Sequence, residues 1–194
     1  GSGTFLIEAA QIALDIAPGL GRRFGFEQFR HFEHASWAAV KRAAEGRRQP
    51  PRPLPIHGSD IVGEWLRRAR LNLESAGLAR CVTLERADLL EREPPAAEGV
   101  MVANPPYGVR LGEEEELAAF YPRLGDALKR RWGGWRCYFF SGDPALPKLI
   151  GLKASRRTPL FNGALECRLL EYRMVAGSNR PRREAQDGGA PPAA

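Results

Sequence analysis

Hydrophobic and polar positions divide the chain into short alternating blocks. Residues 4–17 (TFLIEAAQIALDIA) are apolar on nearly every side, broken only by Glu8, Gln11 and Asp15, and predict a largely buried helix that Pro18-Gly19 ends. Residues 54–59 (LPIHGS) predict a strand ending at Asp60. Residues 61–75 follow as a helix with Trp65, Leu66, Ala69, Leu71 and Leu73 available for packing, stopped at Ala76-Gly77. Residues 80–85 (RCVTLE) predict a further strand, leading to Ala87-Asp88-Leu89. A polar linker containing Pro94-Pro95 then delivers the chain to the buried strand Val100-Met101-Val102-Ala103. Residues 113–131 predict a helix with acids at its start and Lys129, Arg130 and Arg131 at its end, as the helix dipole favours. Residues 135–141 (WRCYFFS) predict another strand, and Asp143-Pro144 opens a further helix. Residues 155–160 and 165–175 predict a hairpin joined through Phe161-Asn162-Gly163-Ala164. Strand and helix in alternation imply an α/β fold, with a mostly parallel sheet, helices on both faces and an antiparallel hairpin at the end.

Residues 21–55 interrupt this rhythm and read as an insertion. Phe24, Phe26, Phe29, Phe32 and Trp37 alternate with Arg22, Arg23, Arg30, His31 and His34; a helical stretch through Ala44 leads to the basic, proline-rich loop GRRQPPRP. Such aromatics serve either as the inserted segment's own small core, the more frequent outcome, or as a stacking surface for RNA with arginines on the phosphates. Residues 177–194 have the composition of a disordered tail or interdomain linker.

The 194 residues are enough for one domain with a sizeable core, and 27% charged with 43% apolar residues is ordinary for a globular chain. A formal net charge of +6 leans toward a polyanionic partner. Cys81, Cys137 and Cys167 are an odd set without metal-ligand spacing, expected to be reduced core residues of a cytoplasmic protein. That spacing gives no reason to expect a metal, and no apolar run has membrane-spanning length, so no membrane is expected as a partner.

Most of the chemistry gathers where Val100-Met101-Val102-Ala103 stops. Pro105 has no N–H for a ladder and Pro106 fixes φ again, so the strand ends at Asn104 and a stiff loop follows at a strand's carboxyl end. Open α/β sheets place their ligands there. The Asn104 side-chain oxygen and the Pro105 carbonyl offer two acceptors to an exocyclic NH2, and Tyr107 offers a ring to stack on it. An ordinary Pro-Pro turn with Tyr107 plugging its base is the plainer alternative. Gly1-Ser2-Gly3 enters the first helix as a cofactor loop would, or is an artificial linker. Asp60 stands where an acid accepts from a ribose diol, and Asp88 where one could accept from an adenine amino group. Either is also a common helix cap.

Asn104-Pro105-Pro106-Tyr107 resembles the catalytic motif of S-adenosyl-L-methionine-dependent amino-group methyltransferases. GSGTFLIEAA, APGLGRRFGFEQF, HGSD, NPPYGVRL, GGWRCYFFSGDP and NGALECRLLEYRM together resemble, in order, the RlmL-type guanine-N2 methyltransferase domain of bacterial 23S ribosomal RNA enzymes, over residues 1–175. The resemblance implies a Rossmann-like class I methyltransferase fold and a cytoplasmic enzyme. It assigns Gly1, Ser2, Gly3, Asp60 and Asp88 to S-adenosyl-L-methionine, and Asn104, Pro105, Pro106 and Tyr107 to catalysis on 23S ribosomal RNA. The family also carries an Asp-Pro-x-Cys strand and an RNA-binding THUMP domain ahead of GSGT, and in many bacteria a second methyltransferase fused behind. Without its central strand the chain is expected to fold poorly alone and to be a piece of a longer protein. Val62 stands where the family often has a second acid. Two rivals remain open: an adenine-N6 DNA methyltransferase, which shares the four-residue motif, and a non-catalytic RNA-binding or assembly domain.

Overall fold

A computed structural model describes residues 1–105 and 113–175. It divides at Pro95 into two compact units.

In the first unit, helix α1 (Thr4–Ala13), a 3-10 turn (Gly25–Gln28) and helix α2 (His34–Arg47) precede a parallel pair of strands, β1 (His57–Asp60) and β2 (Thr83–Arg86), linked by helix α3 (Gly63–Ser75). The core comprises Ala10, Leu14, Leu54, Leu73, Leu78, Cys81 and Val82, with Leu6, Ile7, Ile16 and Leu84 packed against it. Gly58 is where α1 meets the sheet: a Cβ there would lie 2.4 Å from Leu6 Cδ1, so any larger residue would have to displace the Leu6 side chain.

Three predicted elements change here. Helix α1 ends at Ala13 rather than Ala17, because Asp15 adopts a left-handed φ of 49°, a conformation its short polar side chain tolerates, and Ile16 turns back toward the core. Nor is α1 largely buried. Ala10 and Leu14 are covered, but Phe5 and Ile12 are 51% and 79% exposed, because the core lies against one stripe of the helix. The strand predicted from Leu54 begins at His57. The Leu54 amide bonds the Cys81 carbonyl at 3.1 Å and the Thr83 amide bonds the Ile56 carbonyl at 3.0 Å, but Pro55 has no donor to continue a ladder. Likewise the strand predicted from Arg80 starts at Thr83. Gly77 (φ 69°) closes α3, and a 3-10 turn (Ala79–Cys81) tucks Cys81 inward first.

The second unit carries β3 (Gly99–Ala103), α4 (Glu113–Arg131), β4 (Trp135–Ser141), the short α5 (Leu146–Leu149), β5 (Arg156–Asn162) and β6 (Leu165–Arg173). Its sheet runs β3-β4-β6-β5, parallel between β3 and β4 and antiparallel thereafter. Strand β4 alternates strictly: Trp135, Cys137, Phe139 and Ser141 are buried. Phe139 faces Leu170 in register and meets the Tyr172 ring at 6.0 Å. Helix α4 buries Leu117, Tyr121, Leu124 and Leu128, the stripe its 3.6 period dictates. At Gly125 an added Cβ would fall 1.8 Å from the Ile150 carbonyl oxygen, so glycine sets the approach of α4 to the end of α5. The hairpin turn is Gly163-Ala164, with Asn162 paired to Leu165. Gly163 (φ 61°), at the first central position, takes the positive φ, so Asn162 joins the strand.

The three cysteines are free and buried, and burial pushes the Cys137 thiol up to about 12. Among the described residues β1 is hydrogen-bonded to β2 alone and β3 to β4 alone. No described helix is long and apolar enough to cross a membrane, and no described group of three His, Cys, Asp or Glu could hold a metal ion. The expected tail, residues 177–194, lies outside the described residues.

Candidate functional site

At the first unit's parallel pair, one strand end and two loops come together. Asp60 is the last residue of β1, paired in register with Arg86, and its carbonyl accepts from the Ala87 amide at 3.3 Å. The loop that carries Asp88 therefore starts beside Asp60. Both carboxyl groups are half-buried, and both fold their own loops: Asp60 Oδ1 accepts from the Val62 amide and Asp88 Oδ1 from the Leu90 amide, each at 2.9 Å. These are Asx turns, which hold the side chain at a strand's carboxyl end and pre-form the start of the next element. Asp60 Oδ2 lies against the backbone nitrogen of Gly1.

Gly1-Ser2-Gly3 is held from α3. Asn72 Nδ2 donates to the Ser2 carbonyl at 2.9 Å, and Ser2 Oγ lies 3.2 Å from Thr4 Oγ1. Gly3 has φ 83°, and a Cβ on it would meet Ala69 Cβ at 3.0 Å, so its glycine is required by packing on α3 as well as by the turn. Gly1, Ser2, Gly3, Asp60 and Asp88 thus share one rim. Asn72 and Ala69, which position the loop, were not among the expected site residues. Their signal was their spacing of three on the helix that follows Asp60, which puts them on one face.

In the second unit β3 ends as the prolines require. Asn104 is exposed, and its side chain has no hydrogen-bond partner among the described residues; Pro105 beneath it is buried. A buried proline next to an exposed amide fixes the backbone while leaving the amide free to accept and donate. Pro106 and Tyr107 lie outside the described residues. Beyond β4, Asp143 is fully engaged: Oδ1 accepts from the Ala145 amide at 2.7 Å and Oδ2 from the buried Tyr121 hydroxyl at 2.8 Å. Burial and that carboxylate raise the Tyr121 phenol above its ordinary range, which makes the pair a structural tie.

Residues 1–171 match the UPF0020 family, described as the RMKL-like methyltransferase domain. The chain belongs to this family. An RMKL-like relative, the ribosomal RNA large subunit methyltransferase K/L of Shewanella sp. (strain W3-18-1), is 43% identical over 184 residues, covering 93% of the chain and 26% of that protein. The crystal structure of SMU.472 complexed with SAH superposes with a TM-score of 0.82 at 31% identity, over 94% of the chain and 47% of that one. A "predicted N6-adenine-specific DNA methylase from Listeria monocytogenes str. 4b F2365" superposes with a TM-score of 0.77 at 33% identity, over 90% and 44%. The fold is accordingly the Rossmann-like α/β fold of methyltransferases. The RMKL-like chain spans a quarter to a half of the length of the curated relatives it matches, 26% in Shewanella and 46% in a Synechocystis sp. protein, slr0064.

Proposed function

We propose that the chain is the catalytic domain of an S-adenosyl-L-methionine-dependent methyltransferase acting on the exocyclic N2 of a guanine in 23S ribosomal RNA, within a longer protein that adds THUMP and, in some bacteria, second methyltransferase domains. The observation that carries this reading is the exposed Asn104 amide, without a hydrogen-bond partner among the described residues, at the strand end set by Pro105. The RMKL-like family and the K/L relative support the substrate class.

The first unit's rim fits the cofactor's chemistry. Two half-buried carboxylates at adjacent strand ends suit a ribose diol and an adenine amine, and the glycine turn at Gly3 suits close approach of an amino-acid moiety. When bound there, S-adenosyl-L-methionine supplies an electrophilic methyl group. The SAH complex of SMU.472 supports that choice.

Guanine N2 is a poor nucleophile because its lone pair is delocalised into the ring. Asn104 Oδ1 and the Pro105 carbonyl would accept its two amino hydrogens, orient the nitrogen and stabilise the charge that develops on it. Both acceptors sit on a rigid corner, so little reorganisation is needed as that charge appears. A base inside a helix must leave its stack to reach the corner, and the resemblance assigns the replacement stacking to Tyr107. No covalent enzyme intermediate is needed.

The Listeria methylase favours a second reading, adenine N6 in DNA, since the two acceptors suit either amine. Labelled methyl transfer into 23S RNA and into duplex DNA, followed by nucleoside mass spectrometry, separates them. N2-methylguanosine in RNA is expected; N6-methyladenine in DNA would replace the proposal with its rival.

A further inference from the structure

The inserted residues 21–55 hold eight Arg and Lys against three Glu, a net +5 of the chain's +6. Their aromatic residues divide into two groups. Phe24, Phe26, Phe32 and Trp37 pack on one another: Phe24 and Phe26 stack at 5.3 Å, Trp37 meets both edge-on at 5.6 and 5.1 Å, and Phe26 meets Phe32 at 5.8 Å. They are the segment's own small core. Phe29 takes no part in it. Its ring contacts no other ring among the described residues and is 71% exposed.

Phe29 lines an open cleft of about 640 Å³ between the 3-10 turn and α2, together with Arg30, His31, Glu33, Trp37 and Val40. The floor is apolar, Val40 is also exposed, and Arg30 and His31 directly follow the exposed ring. Lys41, beside Val40 in sequence, lies over the Trp37 ring at 5.6 Å. A flat apolar ligand with a negatively charged backbone matches both features. An apolar protein segment would use the cleft but gain nothing from the cations around it.

We propose that this cleft binds an unpaired nucleobase of single-stranded RNA, stacked on Phe29, with the adjoining phosphate on Arg30. The inference rests on the RNA substrate proposed above and adds a second contact to that substrate, on the inserted segment. Because stacking uses the face of a base, the cleft tolerates any sequence and holds the RNA without selecting the methylated nucleotide.

The test is fluorescence anisotropy of a labelled short single-stranded RNA oligonucleotide with the protein and its Phe29→Ala, Phe29→Trp and Arg30→Ala variants. Methyl transfer to 23S RNA is measured alongside. Phe29→Ala is expected to weaken binding on the order of tenfold, Phe29→Trp to restore it, and Arg30→Ala to lower the salt slope of the association constant by about 0.7. Phe29 is exposed and outside the small core, so thermal melting should be unchanged in its variants. Equal RNA affinity for Phe29→Ala and the unmodified protein would overturn the proposal. If RNA methylation persists in that case, the proposed reaction stands without the cleft. If Phe29→Ala weakens RNA binding but no methyl group is transferred, the cleft stands and the reaction falls.

Discussion

At the carboxyl end of β1 the Asp60 side chain is tied into its own loop, through the Val62 amide. At the carboxyl end of β3 the Asn104 side chain is tied to nothing among the described residues. Both are polar residues closing a strand of a parallel pair, and they are stiffened by different means. Asp60 builds its own loop with side-chain hydrogen bonds, and so does Asp88 through the Leu90 amide. Asn104 leaves that work to the backbone, where Pro105 is buried and cannot donate. A carboxylate that folds its own loop through one oxygen is held in a fixed direction and keeps its remaining lone pairs for a bound ligand. A side chain relieved of that task can give all its acceptors to a reacting group.

Substitutions can break this contrast. The largest effect is expected for Asn104→Ala, which should lower turnover about a hundredfold or more while leaving S-adenosyl-L-methionine affinity unchanged. Calorimetric titration beside single-turnover assays measures both, and equal losses in the two would remove the catalytic role. Asp60→Asn should do the reverse. The amide oxygen keeps the bond to the Val62 amide, so the loop survives, but the charge that strengthens hydrogen bonds to a diol is gone. Cofactor affinity should fall roughly tenfold, with kcat nearly intact. A fall in kcat alone would show that Asp60 does not hold the cofactor.

Glu64 gives the smallest effect and separates loop anchoring from local charge. It lies in the first turn of α3, four residues past Asp60. Hydrogen bonds from Arg67 and Arg68 hold its carboxyl down at about 2 against an ordinary 4.5. A carboxyl depressed on folding contributes its stabilisation above pH 4.5, and that contribution is lost as pH falls from there through about 2. Glu64→Gln should therefore melt slightly below the unmodified protein at neutral pH and together with it in strong acid. The neutral-pH difference is small because the group is exposed and screened by solvent. Thermal melts across that window check the sign, and a difference that grows on acidification would contradict it.

Local pattern was enough for much of the fold. Helix α4 and strand β4 occupy the residues predicted for them, α4 marked by its acidic start and basic end and β4 by the run WRCYFFS. The end of β3 at Asn104 was equally legible, since a proline without a donor terminates a ladder whatever surrounds it. The boundaries that moved are those where tertiary packing competed with pattern: α1 stops early so that Ile16 can reach the core, and Cys81 turns inward before β2 begins.

Covalent constraints and residue order therefore settled where β3 ends, which residue types stand at the strand ends near the site, and the family resemblance that follows. Only the folded chain decided which of those side chains are engaged and which are free. It also decided that Asn72 and Ala69 grip the Gly1-Ser2-Gly3 loop, and that Phe29 alone among five clustered aromatics is left outside their small core. Proximity between residues far apart in sequence depends on how helices seat on sheets, and a period along the chain carries no information about that.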